Sequence, residues 1–83
     1  MSKSLRGQEQ ALLQSLLRQV RQEAGLRHQD LAARIGELQS FVSKYESGER
    51  RLDVLELRQI CIALGISLVS FVQRLEDLLS SKK

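Results

Sequence analysis

The chain has 83 residues and a formal net charge of +3, which is enough for one domain with a modest core and only weak evidence for a nucleic-acid partner. Hydrophobic residues make up 42% of the chain, too many for a disordered protein and too few for a membrane protein, and no apolar run approaches the ~20 residues that span a bilayer. The N-terminus lacks the apolar stretch of a signal peptide, so we expect a cytoplasmic protein of a bacterium or a phage, without a membrane partner.

The first part of the chain carries the pattern of two helices, each closed by a glycine. Residues 1–7 are predicted to be a flexible N-terminus. From about Gln8 to Ala24 apolar side chains recur at spacings of three and four, which predicts an amphipathic helix that Gly25 ends. A second helix is predicted from His28 to Ile35, and Gly36 ends it.

A third and a fourth helix follow. The pattern predicts the third from Gln39 to about Glu46, with Gly48 closing it. Asp53 and Glu56 then form a D-x-x-E capping box, in which each residue satisfies a free backbone N–H at a helix start. This box opens the fourth helix, which stops before Gly65.

The last predicted helix is capped by Ser67 and reaches about Leu79, and residues 80–83 are predicted to be a flexible tail. We find no linker, repeat or low-complexity segment. The sequence therefore predicts one all-α domain over residues 8–79, built from five helices.

The stretch from Leu26 to Arg51 carries the functional signal. Two short helices are joined there by a tight turn at residues 36–38, and the small Ala32 sits where the second helix must approach the first. This is the pattern of a helix-turn-helix. An α-helix fits the major groove of DNA, and the preceding helix crosses the backbone and fixes the approach.

This pattern resembles the Cro and cI phage-repressor type of helix-turn-helix, also called the XRE family. The resemblance covers about Leu17 to Phe71 and rests on LRQVRQEAGL, DLAARIG, QSFVSKYESGER and IALGISL. It implies a five-helix, lambda-repressor-like domain whose recognition helix spans about residues 39–46. It also implies a repressor-like transcriptional regulator that binds double-stranded DNA.

The resemblance assigns base contacts to the recognition helix. Glutamine can pair with adenine through two hydrogen bonds, and lysine can donate to guanine. Phe41 stays open between a contact with a thymine methyl group and packing against the neighbouring helix. The implied base contacts are Gln39, Ser40, Ser43 and Lys44.

The resemblance also assigns contacts to the DNA backbone. These positions lie at the start of the second helix, where free amides meet a phosphate, and around the loop after the third. For His28 a solvated surface position is an equal alternative. The implied phosphate contacts are Arg27, His28, Ser47, Arg50 and Arg51.

Arg21 and Glu46 match an ion pair that bridges the first helix to the end of the recognition helix in such repressors, a structural role. Two positions depart from the family pattern. The hydroxyl caps before the second and third helices are replaced by Arg27 and Leu38, and a lost cap typically costs ~1 kcal/mol. A phosphate contact from Arg27 would offset its loss.

More apolar residues are present than one small core needs, and such a surplus usually marks an interface. We expect a twofold homodimer built on residues 54–79, which places two recognition helices about one DNA turn apart on a pseudo-palindromic operator. In the alternative, a longer first helix buries part of the surplus against the fifth within one chain. The predicted interface residues are Ile62, Val69, Val72, Leu75 and Leu79.

No pattern in the sequence indicates an enzyme. Ser40 and Ser43 lack a histidine base and an acid at usable spacing, and the lone His28 and Cys61 offer no metal site. We therefore expect no catalytic residue, metal or cofactor, and interpret Cys61 as a core residue, with redox sensing as the alternative. The alternative function is an antitoxin or other protein-binding module, whose apolar helices bind a protein partner such as a toxin or a polymerase.

Overall fold

The computed structural model describes residues 2–81, with side chains from residue 7 onward, so that Met1, Lys82 and Lys83 lie outside the description. This part of the chain contains five helices and no strand. They are α1 (Ser2–Glu23), α2 (His28–Ile35), α3 (Gln39–Ser47), α4 (Val54–Leu64) and α5 (Leu68–Ser81). The prediction of an all-α, five-helix fold is confirmed.

Both ends of the described chain are more helical than the sequence predicts. Helix α1 begins at Ser2 and not near Gln8, and α5 continues past Leu79 to Ser81. Residues 2–7 and 80–81 of the predicted flexible ends are therefore helical. The chain contains no proline, so no residue at either end blocks the helical hydrogen bonds.

Helix α3 ends at Gly48, where the backbone conformation favours glycine and the Gln14 side chain lies close by. Gly48 has φ +89°, and a Cβ atom added there would lie 2.6 Å from the side-chain nitrogen of Gln14 on α1. Only glycine adopts this left-handed conformation without strain. The end of α3 can therefore lie directly against α1.

The core gathers residues from all five helices. Leu16 of α1 is 1% exposed. It is buried because the long α1 packs against both α3 and α5. The buried apolar residues are Leu16, Leu17, Val20, Leu31, Ala32, Val42, Tyr45, Ile60, Cys61, Leu64 and Phe71.

Helices α2 and α3 pack against each other and form the helix-turn-helix. Ala32 of α2 is 3% exposed, and Gly36, in the left-handed conformation, turns the chain toward α3. Helix α2 also packs against α4, while α1 packs against α3. These contacts cover one side of α3 and leave the other side open.

Candidate nucleic-acid interface

The open side of α3 carries the predicted base contacts. Gln39, Ser40 and Lys44 are exposed and Ser43 is half-buried. The residues between and after them, Val42, Tyr45 and Glu46, are buried. Since positions i, i+1, i+4 and i+5 lie on one side of a helix, the four predicted base contacts share one face.

The hydroxyl of Ser43 donates to the backbone carbonyl oxygen of Gln39 at 3.2 Å. This bond turns the hydroxyl toward its own helix, where Ser43 Oγ still has a lone pair to accept a bond from outside. Gln39 and Lys44 reach further and carry the larger capacity for hydrogen bonds to base edges.

Phe41 is half-buried and packs against the edge of the core. Its ring meets that of Tyr45 edge to face, with the centroids 5.6 Å apart and the planes at 75°. The guanidinium of Arg50 lies over the Phe41 ring, 4.6 Å from its centroid. The Phe41 ring thus contacts its own helix and the loop after it, and its half-buried position leaves both alternatives for Phe41 open.

Glu46, in the last turn of α3, is held by the guanidinium of Arg21 on α1. Arg21 Nε donates to Glu46 Oε2 at 2.7 Å and Arg21 Nη2 donates to Oε1 at 3.0 Å. Arg21 Nη1 also donates to the carbonyl oxygen of Leu26 at 2.8 Å. Glu46 and Arg21 are 3% and 8% exposed, and the bond to Glu46 raises the pKa of Arg21. The two residues of the implied ion pair thus join α1 to the recognition helix.

His28 joins the same carboxylate, a contact the sequence did not predict. Its Nε2–H donates to Glu46 Oε1 at 3.1 Å, and Arg18 Nε lies 3.8 Å from the same oxygen. His28 is the first residue of α2 and is half-buried. One side of its ring therefore serves the fold, and its backbone N–H remains at the start of α2. The pairing joins residues far apart in sequence, and no local pattern signals it.

Arg27 lies at the position before α2 and pairs with Asp30. Its Nε and Nη2 donate to the Asp30 carboxylate at 3.0 and 3.1 Å, and its backbone N–H donates to Asp30 at 2.9 Å. These bonds lower the pKa of Asp30 to about 2. Asp30 thus satisfies the N–H of the residue before the helix, which is the carboxylate half of a capping box, while no hydroxyl cap is present, and the R-x-x-D spacing was the signal for it. The Arg27 side chain is 72% exposed, so it can reach a phosphate by leaving a weak surface pair.

The remaining predicted phosphate contacts differ in how exposed they are and in how firmly other residues of the protein bind them. Arg51 is exposed, as is Ser47, whose hydroxyl donates to the carbonyl oxygen of Lys44 at 3.1 Å. Arg50, in contrast, is bound by both carboxylate oxygens of Glu56, at 3.1 and 2.8 Å. Arg51 is therefore exposed to solvent, whereas much of the hydrogen-bonding capacity of Arg50 is used within the protein.

The predicted interface residues fall into two groups. Ile62, Val69 and Val72 are 56%, 80% and 45% exposed. Leu75 and Leu79 are half-buried instead, because they turn toward α1 and line a shallow groove with its residues. This matches the alternative in which α1 and α5 share part of the surplus. Two further apolar side chains are exposed at the start of α4, Val54 at 62% and Leu55 at 71%.

Cys61 is fully buried, and burial raises the pKa of its thiol, which keeps it protonated and unreactive. Within residues 2–81 no three histidine, cysteine or acidic side chains are grouped as metal ligands. No single helix in that range is long and apolar enough to cross a membrane, and α4 and α5 reach that length and composition only as a pair bent by 105°.

Comparison with known proteins found a matching family model and several matching solved structures. A family model described as helix-turn-helix matches residues 17–71. A solved structure titled XRE-family like protein from Pseudomonas syringae pv. tomato str. DC3000 is similar, with a TM-score of 0.85 and 39% sequence identity. The similarity covers 93% of this chain and 94% of that one. No curated protein matches the chain.

Proposed function

Since this chain belongs to the XRE family of DNA-binding helix-turn-helix regulators, we propose that it is a repressor-like transcriptional regulator of the cytoplasm that binds a pseudo-palindromic operator as a homodimer. The family is regulatory and not enzymatic. The observation that carries the proposal is the open side of α3, where Gln39, Ser40 and Lys44 are exposed beside a fully buried opposite side.

Base recognition rests on Gln39, Ser40, Ser43 and Lys44. In the major groove, the Gln39 amide offers a donor and an acceptor that match adenine, and the Lys44 ammonium matches the acceptors of guanine. The two hydroxyls supply shorter contacts. Together they give α3 the means to distinguish base pairs by their edges.

Backbone recognition rests on Arg27, His28, Ser47 and Arg51. The backbone N–H of His28 lies at the start of α2, where the helix dipole favours a phosphate. Arg27 is exposed next to it, and Ser47 and Arg51 are exposed after α3. Contacts of this kind set position and strength but carry no sequence information.

The homodimer is supported by exposed apolar side chains on α4 and α5. Ile62, Val69 and Val72 would lose water on association, and each fully buried side chain of this size contributes about 1.5–3 kcal/mol before the costs of association. Leu75 and Leu79 contribute within one chain. A twofold axis through this face would set two recognition helices about 34–36 Å apart. The regulator then acts by occupying a promoter.

Selection from random duplex DNA, followed by sedimentation of the protein alone and with the selected duplex, tests the proposal. We expect an inverted repeat with half-sites one turn apart and two chains per site. A selection that enriches no DNA sequence would refute the proposal that this protein is a sequence-specific regulator.

A protein-binding module, such as an antitoxin, is the second candidate, because Val54, Leu55 and Val69 are more than half exposed. A chain that stays monomeric at high micromolar concentration and also on DNA would refute the homodimer and favour this candidate.

A further inference from the structure

Arg50 connects the recognition helix to α4. Its Nη1 and Nη2 donate to the two oxygens of Glu56 at 3.1 and 2.8 Å, and Nη1 also donates to the Arg51 carbonyl oxygen at 2.9 Å. Three of the five N–H groups of a guanidinium are thereby used. Its guanidinium carbon lies over the ring of Phe41, 4.6 Å from the centroid. We call Phe41, Arg50 and Glu56 the Arg50 clamp.

The α4 side of the Arg50 clamp is firmly anchored. Glu56 accepts from the backbone N–H of Asp53 at 3.0 Å, and its own N–H donates to Asp53 at 2.7 Å. The bonds from Arg50 and Asp53 hold the pKa of Glu56 at about 2. The carboxylate therefore stays charged at neutral pH and ties the guanidinium to the first turn of α4.

The α3 side of the Arg50 clamp lies where the recognition helix is locally weakest. Leu38, the residue before α3, makes no side-chain hydrogen bond to the helix start and is 75% exposed. Phe41 is in the first turn, next to Gln39 and Ser40. Its ring is fixed between Arg50 and the buried Tyr45. The clamp therefore supplies to this turn the restraint that a cap would supply elsewhere.

We propose that Arg50 is a positioning residue for sequence recognition, and not a phosphate contact, because it fixes the first turn of α3 and hence Gln39 and Ser40. The proposal rests on the proposed function and goes beyond it. Arginine suits this role and lysine does not, since only the planar guanidinium can pair with both carboxylate oxygens and stack on a ring.

The test compares Arg50→Lys, Arg50→Ala and Arg51→Ala with the unaltered chain. Dissociation constants are measured on a selected duplex and on a random duplex of equal length, each at several salt concentrations. We expect both Arg50 variants to lower the ratio of the two affinities about tenfold, within the range of one good base contact. Arg50→Lys should keep the salt slope of the unaltered chain. Arg51→Ala should keep the affinity ratio and lose about 0.9 of the slope, as expected for one phosphate contact.

Two further variants distinguish the loss of the Arg50 clamp from a folding defect caused by the change at Arg50 itself. Phe41→Leu and Glu56→Gln each break the Arg50 clamp while Arg50 stays in place, and both should lower the affinity ratio. Melting curves confirm that each variant is folded at the assay temperature. If Arg50 contacts a phosphate instead, Glu56→Gln frees it, and the ratio stays unchanged.

The possible outcomes test the proposed function and the positioning role of Arg50 separately. If the unaltered chain binds selected and random DNA equally, the proposed function is refuted. The positioning role of the Arg50 clamp, which rests on that function, is then refuted as well. If the unaltered chain discriminates and Arg50→Lys keeps its affinity ratio, only the positioning role of Arg50 is refuted. The same holds if Arg50→Ala loses about 0.9 of the slope with an unchanged ratio.

Discussion

Glu46→Gln tests whether the buried carboxylate holds the recognition helix to the rest of the domain. The change keeps the size and shape of the side chain and removes its charge. Arg21 would then be left without a counter-charge, although it retains its bond to the carbonyl oxygen of Leu26. The substitution therefore isolates the electrostatic part of the contact from its packing.

The magnitude follows from burial. The side chains of Arg21 and Glu46 are 10% and 2% exposed, and removal of one partner of a buried pair typically costs 3–5 kcal/mol. Glutamine can still accept one bond from Arg21, so we expect a loss of about 3 kcal/mol. A chain of this size has a total stability of roughly 4–12 kcal/mol, so the change removes a large fraction of it.

Urea unfolding followed by circular dichroism at neutral pH measures this loss. With a slope of roughly 1–1.5 kcal/mol/M, the midpoint should fall by about 2–3 M. Glu49→Gln is the matched control, because Glu49 is exposed and surface changes stay within about 0.5 kcal/mol.

Combination with Arg21→Met completes the cycle. The double variant buries no unpaired charge, so it should cost less than the sum of the two single changes. A Glu46→Gln midpoint equal to that of Glu49→Gln, or additive single effects, would show that the pair does not hold the helix.

Three other expectations address recognition, a helix end and acid stability. Gln39→Ala should cost ~1–3 kcal/mol on a selected duplex and little on random DNA, whereas Arg51→Ala should weaken both alike; equal behaviour of the two variants in binding titrations contradicts the division of roles. Gly48→Ala should lower the melting temperature, because φ is +89° and the new Cβ would meet Gln14 at 2.6 Å; an unchanged melting temperature would show that the turn relaxes freely. The folded pKa of Glu56, about 2, lies below its ordinary 4.5, so its contribution is complete above pH 4.5 and is lost as the pH falls toward 2. Urea midpoints of the unaltered chain and Glu56→Gln should converge over that interval, and parallel curves would refute the assignment.

The helix ends that glycine marks could be predicted from the sequence, because a left-handed residue and the hydrogen bonds around it are local. Gly36, Gly48 and Gly65 end their helices where predicted. The capping box of Asp53 and Glu56 is local in the same way. The start of α1 was harder to predict, since Ser2 and Ser4 are both possible caps and Gly7 is a poor helix former.

Contacts between distant segments could not be predicted from local patterns. The bond from His28 to Glu46 joins residues 18 positions apart, and its geometry depends on how α2 meets α3. For Arg50, the sequence shows a positive charge in the loop after α3. It does not show that Glu56 and Phe41 contact the guanidinium. The burial of individual apolar residues also could not be predicted locally, because the path of α1 decides whether Leu16 and Leu75 face the protein or water.

The side chains of α3 that are proposed to contact bases are different from those that pack into the domain. Val42, Tyr45 and Glu46 lie in the interior, whereas Gln39, Ser40 and Lys44 are exposed. Substitutions at the three exposed positions should each change stability by less than about 0.5 kcal/mol, even where they change the preferred DNA sequence. The domain is therefore a suitable scaffold for engineering, in which new operator preferences can be selected from a library at these positions while the fold tolerates nearly every member.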